Sequence, residues 1–256
     1  MTCFNFEVPG QMSVLLKPQS PLQLADTIVA TRLLIRSVAK EHSLTASFSP
    51  APPAQQGTEY GMSILISFKG ISHDPENNPG SLLCSTGDAF AQGVLDHLPA
   101  LTALTLYSSN SFVRLSGDSI SRRVAWSTTD SGTPVVISRN YYSRDYQLAY
   151  KLCDNSCNVH LALAGLLWSG VDGMLRQRAL QVPFDELCET PLSTSFKLCP
   201  PNLADAITSL SEDIALMNLL PASIRGPYLL FRRRELTRLR TMSGDEERQV
   251  DVKEKI

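Results

Sequence analysis

Between Gly61 and Phe68 the chain reads GMSILISF, and this short stretch constrains the fold more than any other. Successive side chains of an extended strand point to opposite faces. Met62, Ile64, Ile66 and Phe68 therefore share one side, and Ser63, Leu65 and Ser67 share the other. The first set is a core face. The second is small and partly polar, and it faces something other than a hydrophobic core.

Helical patterns occur on both sides of this strand. Ser20-Pro21-Leu22-Gln23 has the form of a capping box with Pro21 at the first helical position. Leu24, Ile28, Ile35 and Val38 follow at helical spacing, so a helix is expected to about Glu41 and is expected to cover a sheet. A shorter helix is expected from Asp88 to Leu98, ended by Pro99. Asn158 is a predicted cap for a helix from Leu161 to about Arg176, with Leu161, Ala164, Leu167, Val171 and Leu175 as its apolar stripe. Asn202 and Asp205 open another, with Ile207, Leu210, Ile214 and Met217 on one side. Pro221 to Met242 reads as one or two further helices, and residues 243–256 as a charged, frayed tail. Strands are expected at Met12–Leu16, Thr45–Ser49, Arg122–Trp126, Pro134–Ser138 and Tyr146–Leu152.

The charge balance argues against several partners. A formal charge of −2 gives no general attraction to nucleic acid or anionic membrane. Arg232-Arg233-Arg234 is followed by Glu235 and lacks interleaved aromatics, so it reads as a solvated helix face. No apolar run reaches membrane-spanning length, and MTCFNFEVPG lacks the regions of a signal peptide, so a cytoplasmic protein is expected. None of the six cysteines forms a C-x-x-C pair. Cys153 and Cys157 have the spacing of one helical face and read as reduced core or boundary thiols. His42, His73, His97 and His160 show no metal-ligand spacing and read as surface or boundary residues.

The stretch from Pro99 to Trp126 places Asn110 and Arg114 four residues apart around Phe112, in N-S-F-V-R-L, with A-W ending twelve residues after Arg114. An arginine fork suits a carboxylate or phosphate. The string resembles the glutamate-binding segment of the glutamine synthetase catalytic domain, N-S-Y-K-R-L followed by G-Y-E-A-P and A-W. Further pieces resemble that family in order. Pro9-Gly10-Gln11 is similar to its P-G-Q, and the helix around Leu24-Ala25-Asp26 to its A-D helix. His42-Ser43-Leu44-Thr45-Ala46-Ser47-Phe48 is similar to H-G-L-x-A-T-F, and Gly61-Met62 to the G-M before an H-x-H strand. His97-Leu98-Pro99-Ala100-Leu101-Thr102-Ala103 is similar to H-x-P-A-L-T-A. Asp154, Asn158 and Leu161 to Ala164, through Gly170-Val171-Asp172-Gly173, resemble D-x-x-x-N-P-Y-L-A-L-A and A-G-L-D-G.

The resemblance implies a fold, a reaction and a ligand set. The implied fold is α+β: a curved, mostly antiparallel sheet forming an open half-barrel, with helices on its outer face, over residues 1–242. The implied reaction uses Mg²⁺ or Mn²⁺ and ATP to phosphorylate glutamate, and ammonia then displaces phosphate. Hard cations need carboxylate and imidazole ligands. At the positions where the family has them, this chain has others. Ser13 stands for a Glu, Ser63 and Leu65 for two His, Ser119 for the Glu of G-Y-E-A-P, and Ala149 for the Glu of E-L-R with Lys151 for its Arg. Ser131 and Val136 stand for two phosphate-gripping Arg, and Glu7 falls one residue out of register with another metal-binding Glu.

A serine hydroxyl brings no charge, and phosphoryl transfer depends on charge and position. The expectation is therefore a non-catalytic glutamine synthetase-like protein. No metal or nucleotide is expected in this chain, and a glutamate-like carboxylate is held weakly by Arg114 and Asn110. The alternative is an active ATP-dependent glutamine or γ-glutamyl amide ligase with a rearranged site. In the family each site lies between two subunits and is closed by a neighbour's N-terminal sheet domain, for which this chain has no room. The resemblance thus implies a homo-oligomer or co-assembly with an intact relative.

Overall fold

A computed structural model of the chain describes residues 3–5, 10–50, 61–68, 82–115, 120–139, 146–187 and 196–239. The chain divides into two compact units, Met1–Ala46 and Ser47–Ile256.

In the first unit β1 (Cys3–Asn5) pairs antiparallel with β2 (Ser13–Leu15), with Phe4 opposite Val14. Helix α1 spans Pro21–Glu41. Its Pro21 sits at the start as expected, but Ser20 caps nothing with its side chain; the hydroxyl donates to Gln23 Oε1 at 2.8 Å instead. The strand expected at Thr45–Ser49 does not form.

The second unit is built on a four-stranded sheet. Strand β3 is Met62–Ser67. The helices α2 (Ser85–Asp96), α3 (Leu98–Thr105) and α4 (Ser109–Arg114) follow it. Strands β4 (Trp126–Ser127), β5 (Val135–Arg139) and β6 (Tyr146–Cys153) complete the sheet. The order is β3-β6-β5-β4. β6 is antiparallel to both neighbours, and β4 alone runs parallel to β5. Then come α5 (Val159–Leu175), α6 (Phe184–Leu187), α7 (Leu203–Glu212), α8 (Ile214–Leu219) and α9 (Ala222–Leu239). The architecture is mixed α+β with an open, mostly antiparallel sheet.

The alternation in GMSILISF decides which face of the sheet is covered. Ile64, Leu148, Tyr150, Val135 and Ile137 are buried and form the core side. There α3 reaches β6, and the Tyr150 hydroxyl lies 3.0 Å from Thr105 Oγ1. Phe68 meets Phe90 of α2 edge to face at 5.3 Å. Behind this layer α2 packs on α5, and α3 on α5 and α7. The α2–α5 crossing is close because it is made by glycines. A Cβ on Gly93 would fall 2.2 Å from the Ser169 carbonyl oxygen, and one on Gly173 2.1 Å from that of Ala89.

Several local expectations are corrected. Pro99 does not end a helix; it sits in the first turn of α3, where its missing N–H costs nothing. Strand β4 is shorter than Arg122–Trp126, because residues 120–122 form a single 3-10 turn. Cys157 is not on a helical face with Cys153: β6 ends at Cys153, and Cys157 lies in the turn before Asn158 caps α5. Arg232 is not solvated but fully buried, stacked on the Tyr107 ring at 4.0 Å. Its guanidinium donates to the Tyr107 carbonyl at 2.6 Å and to Glu235 at 2.5 Å. The tail over residues 243–256 lies outside the described residues. Among the described residues no helix is long and apolar enough to cross a membrane.

Candidate functional site

The open face of the sheet is assembled by strand register. Leu65 pairs with Ala149, and Ala149 pairs with Val136, so these positions form one row across β3, β6 and β5. The next row is Ser67, Gln147 and Ser138. Directly paired residues share a face, so both rows look away from the helices. Ser63 and Leu65 are exposed, whereas Val136 is buried within the row. The register shifts between Met62 and Ile64, so Ser63 sits at a bulge on the same strand. Lys151 lies further along β6 and forms an ion pair with Asp130. Ser131 belongs to the turn before β5, and its buried hydroxyl has no hydrogen-bond partner among the described residues.

Arg114 and Asn110 come from α4. Ser108 builds this helix: its hydroxyl accepts from the Asn110 amide at 3.0 Å, while its own amide donates to Ser111 Oγ at 3.1 Å. That reciprocal cap starts a helix in so short a polar segment. The i, i+4 spacing then puts Asn110 and Arg114 on one side. Asn110 is buried and its Nδ2 has no partner among the described residues; Arg114 is half-buried, and its Nε and Nη2 likewise have none there. Three buried donors without acceptors are costly unless an anion or water meets them. The chain leaves room for Arg114 at Gly61, where a Cβ would stand 3.3 Å from Nη1 and 3.6 Å from the Cys153 carbonyl oxygen. Arg114 therefore lies against the start of β3.

Thus Leu65, Ala149 and Val136 come together in a row, with Ser63 and Lys151 on the same strands and Arg114 near the head of β3. Ser13 belongs to the other unit. Ser119 and Glu7 lie outside the described residues. Serine, leucine, alanine and valine do not supply the charged oxygen donors that Mg²⁺ or Mn²⁺ require, so these side chains do not fit the family's cations. Among the described residues no group of three His, Cys, Asp or Glu side chains is placed to hold a metal.

A charged cluster elsewhere went unread in the sequence. His97, expected near the surface, is buried, with Nδ1 2.6 Å from Asp213 Oδ2 and Nε2 3.0 Å from Asp172 Oδ2. Arg176 pairs with the same Asp172 oxygen at 2.9 Å. Burial works to lower the imidazole pKa, but the two carboxylates outweigh it and hold it above the ordinary histidine value. Sequence spacing gave no signal, because the three residues come from three separate helical regions.

The family model for the glutamine synthetase catalytic domain matches residues 4–250. This chain belongs to the glutamine synthetase catalytic-domain family. It is 28% identical over 248 residues to a glutamine synthetase of Methanocaldococcus jannaschii, covering 93% of this chain and 54% of that protein. It is also 28% identical over 246 residues to the protein fluG of Emericella nidulans, covering 91% of this chain and 26% of fluG. A crystal structure of a novel glutamine synthase homolog superposes with a TM-score of 0.74 at 26% identity, over 89% of this chain and 53% of the other. The chain thus spans about half the length of the archaeal glutamine synthetase that it matches.

Proposed function

We propose that this glutamine synthetase-like chain is non-catalytic and retains weak capture of a glutamate-like carboxylate by Arg114 and Asn110. The observation that carries the reading is the row Leu65–Ala149–Val136, a set of uncharged side chains on the open face of a glutamine synthetase-type sheet. Without charged ligands there, neither cation nor γ-phosphoryl charge is stabilised. Removing a single such stabiliser costs on the order of a hundredfold or more in rate. The unpaired donors of Asn110 and Arg114 support the carboxylate subsite. We further place the protein in the cytoplasm, as an assembly partner of its own kind or of an intact relative.

The test is γ-glutamyl hydroxamate formation with Mg·ATP, alongside calorimetry with Mn²⁺ and nucleotide. Neither product nor micromolar cation binding is expected. Glutamate in the millimolar range is expected to raise the unfolding midpoint modestly, and Arg114→Met to remove that rise. The second reading, an active ATP-dependent ligase, draws on the same unpaired donors, which a substrate carboxylate would satisfy. Turnover that disappears in Arg114→Met would establish it and overturn the first.

A further inference from the structure

Cys153 ends β6 and Cys157 lies in the turn leading to α5, yet their sulfurs stand 3.6 Å apart. Both thiols are reduced, and the residues are only 0% and 3% exposed. The backbone imposes this approach. The Cys157 amide donates to the Asp154 carbonyl at 3.4 Å and closes the turn. Asp154 Oδ1 then accepts from the Ser156 amide at 2.8 Å and from its hydroxyl at 2.5 Å. The sulfurs are thus held together by hydrogen bonds between them in sequence, and bonding needs a further approach of roughly 1.5 Å. The other thiols with described side chains serve differently. Cys84 accepts from the Gly87 amide at 3.2 Å as a helix cap, and burial pushes the Cys199 thiol up to about 12.

We propose that Cys153 and Cys157 form a modification site, a dithiol that closes to an intramolecular disulfide on meeting a small disulfide such as oxidised glutathione. One cysteine thiolate attacks a glutathione sulfur, forming a mixed disulfide and releasing one glutathione thiolate. The other cysteine thiolate attacks the protein sulfur of that mixed disulfide, forming the Cys153–Cys157 bond and releasing the second glutathione thiolate. Two protein thiols are oxidised, one glutathione disulfide is reduced to two thiols, and the two protons end on the released glutathione. Burial of the pair makes opening of the turn the entry step. The site adjoins the candidate carboxylate subsite: Ser156 Oγ lies 3.5 Å from Ser111 Oγ on α4, and Arg114 approaches the Cys153 carbonyl across Gly61. The inference does not depend on whether that subsite binds glutamate.

The test uses the full chain in native buffer at graded ratios of reduced to oxidised glutathione, quenched by thiol alkylation and digested with trypsin. Lys151 and Arg176 bound one peptide, Leu152–Arg176, which holds Cys153 and Cys157 and no other cysteine. The closed form reads as this peptide without alkyl groups and lighter by two hydrogen atoms. At oxidising ratios it is expected to exceed glutathione adducts on Cys84 and Cys199 by about tenfold, and Cys157→Ser is expected to abolish it. Circular dichroism on the same samples establishes that the protein is folded. A doubly alkylated peptide at every ratio, separate glutathione adducts on the two cysteines, or closure seen only in denaturant would each overturn the proposal.

Discussion

His97 Nδ1 lies 2.6 Å from Asp213 Oδ2, and Asp213 is also the cap of α8, accepting from the Leu216 amide at 3.0 Å. One carboxylate therefore ties the α2–α3 junction to the start of a distant helix. A histidine that meets a carboxylate at each nitrogen is a double donor only when protonated.

This pairing predicts how stability depends on pH. The folded pKa of His97 is raised, so its contribution is fully present below the unfolded value near 6.5 and is lost as pH rises through the folded value. Burial alone would raise the Asp213 pKa, but the hydrogen bonds from His97 and the Leu216 amide lower it below 3.8. Its contribution is present above 3.8 and is lost as pH falls through the folded value. From this cluster, stability is expected to be greatest between those unfolded values. Urea midpoints measured across pH should decline on the alkaline side, and His97→Gln should flatten that decline.

The α2–α5 crossing predicts a steric limit. In Gly93→Ala the new methyl would meet the Ser169 carbonyl oxygen at 2.2 Å and the Gly173 backbone at 2.7 Å, with backbone on the opposing side. The helices must part. Overpacking of this kind typically costs about 1–3 kcal/mol, and the backbone contact places this variant at the upper end. Denaturant titration checks it, with Gly226→Ala as the control, since a Cβ there meets nothing within 4 Å.

Arg232 predicts a loss from a site that looks like surface in the sequence. Arg232→Met keeps the aliphatic packing but removes the hydrogen bonds to the Tyr107 carbonyl and Glu235 and the cation over the Tyr107 ring. A loss of about 2–4 kcal/mol is expected. Arg233→Met and Arg234→Met, at exposed neighbours, should change stability by less than about 0.5 kcal/mol.

The proposed replacement of the family's ligands predicts a rebuilding experiment. Leu65 and Ala149 are directly paired, so their Cβ atoms are roughly 4.5–5.5 Å apart. Ser63→His, Leu65→His and Ala149→Glu together would put two imidazoles and a carboxylate on one face. Calorimetry should show Mn²⁺ binding about tenfold or more tighter than in the natural chain. Unchanged heats would mean that these positions do not share a cation-sized space.

Local signals read well from the sequence where the cause is local. The strand pattern at Met62–Ser67 buries Ile64 and exposes Ser63, Leu65 and Ser67 as its alternation requires. Asn158 and Asn202 cap their helices by accepting from the Leu161 and Asp205 amides. Readings that depended on distant partners failed. Pro99 looked like a stop because a proline signals either a helix end or a helix start, and in the fold α2 ends at Asp96 and Pro99 stands in the first turn of α3. His97 read as surface or boundary and Arg232 as solvated because the carboxylates that meet His97 lie 75 and 116 positions away, and the Tyr107 carbonyl that Arg232 reaches lies 125 positions away.

The amino-acid sequence by itself determined the family and the order of most elements, because motif order and periodicity are properties of the chain read linearly. Only the tertiary structure decided that Leu65, Ala149 and Val136 stand in one row, that Arg114 and Asn110 carry buried donors with no partner among the described residues, and that Cys153 and Cys157 touch. Those facts depend on strand register, on a helix cap and on a turn's hydrogen bonds, each of which sets distances that spacing along the chain leaves open.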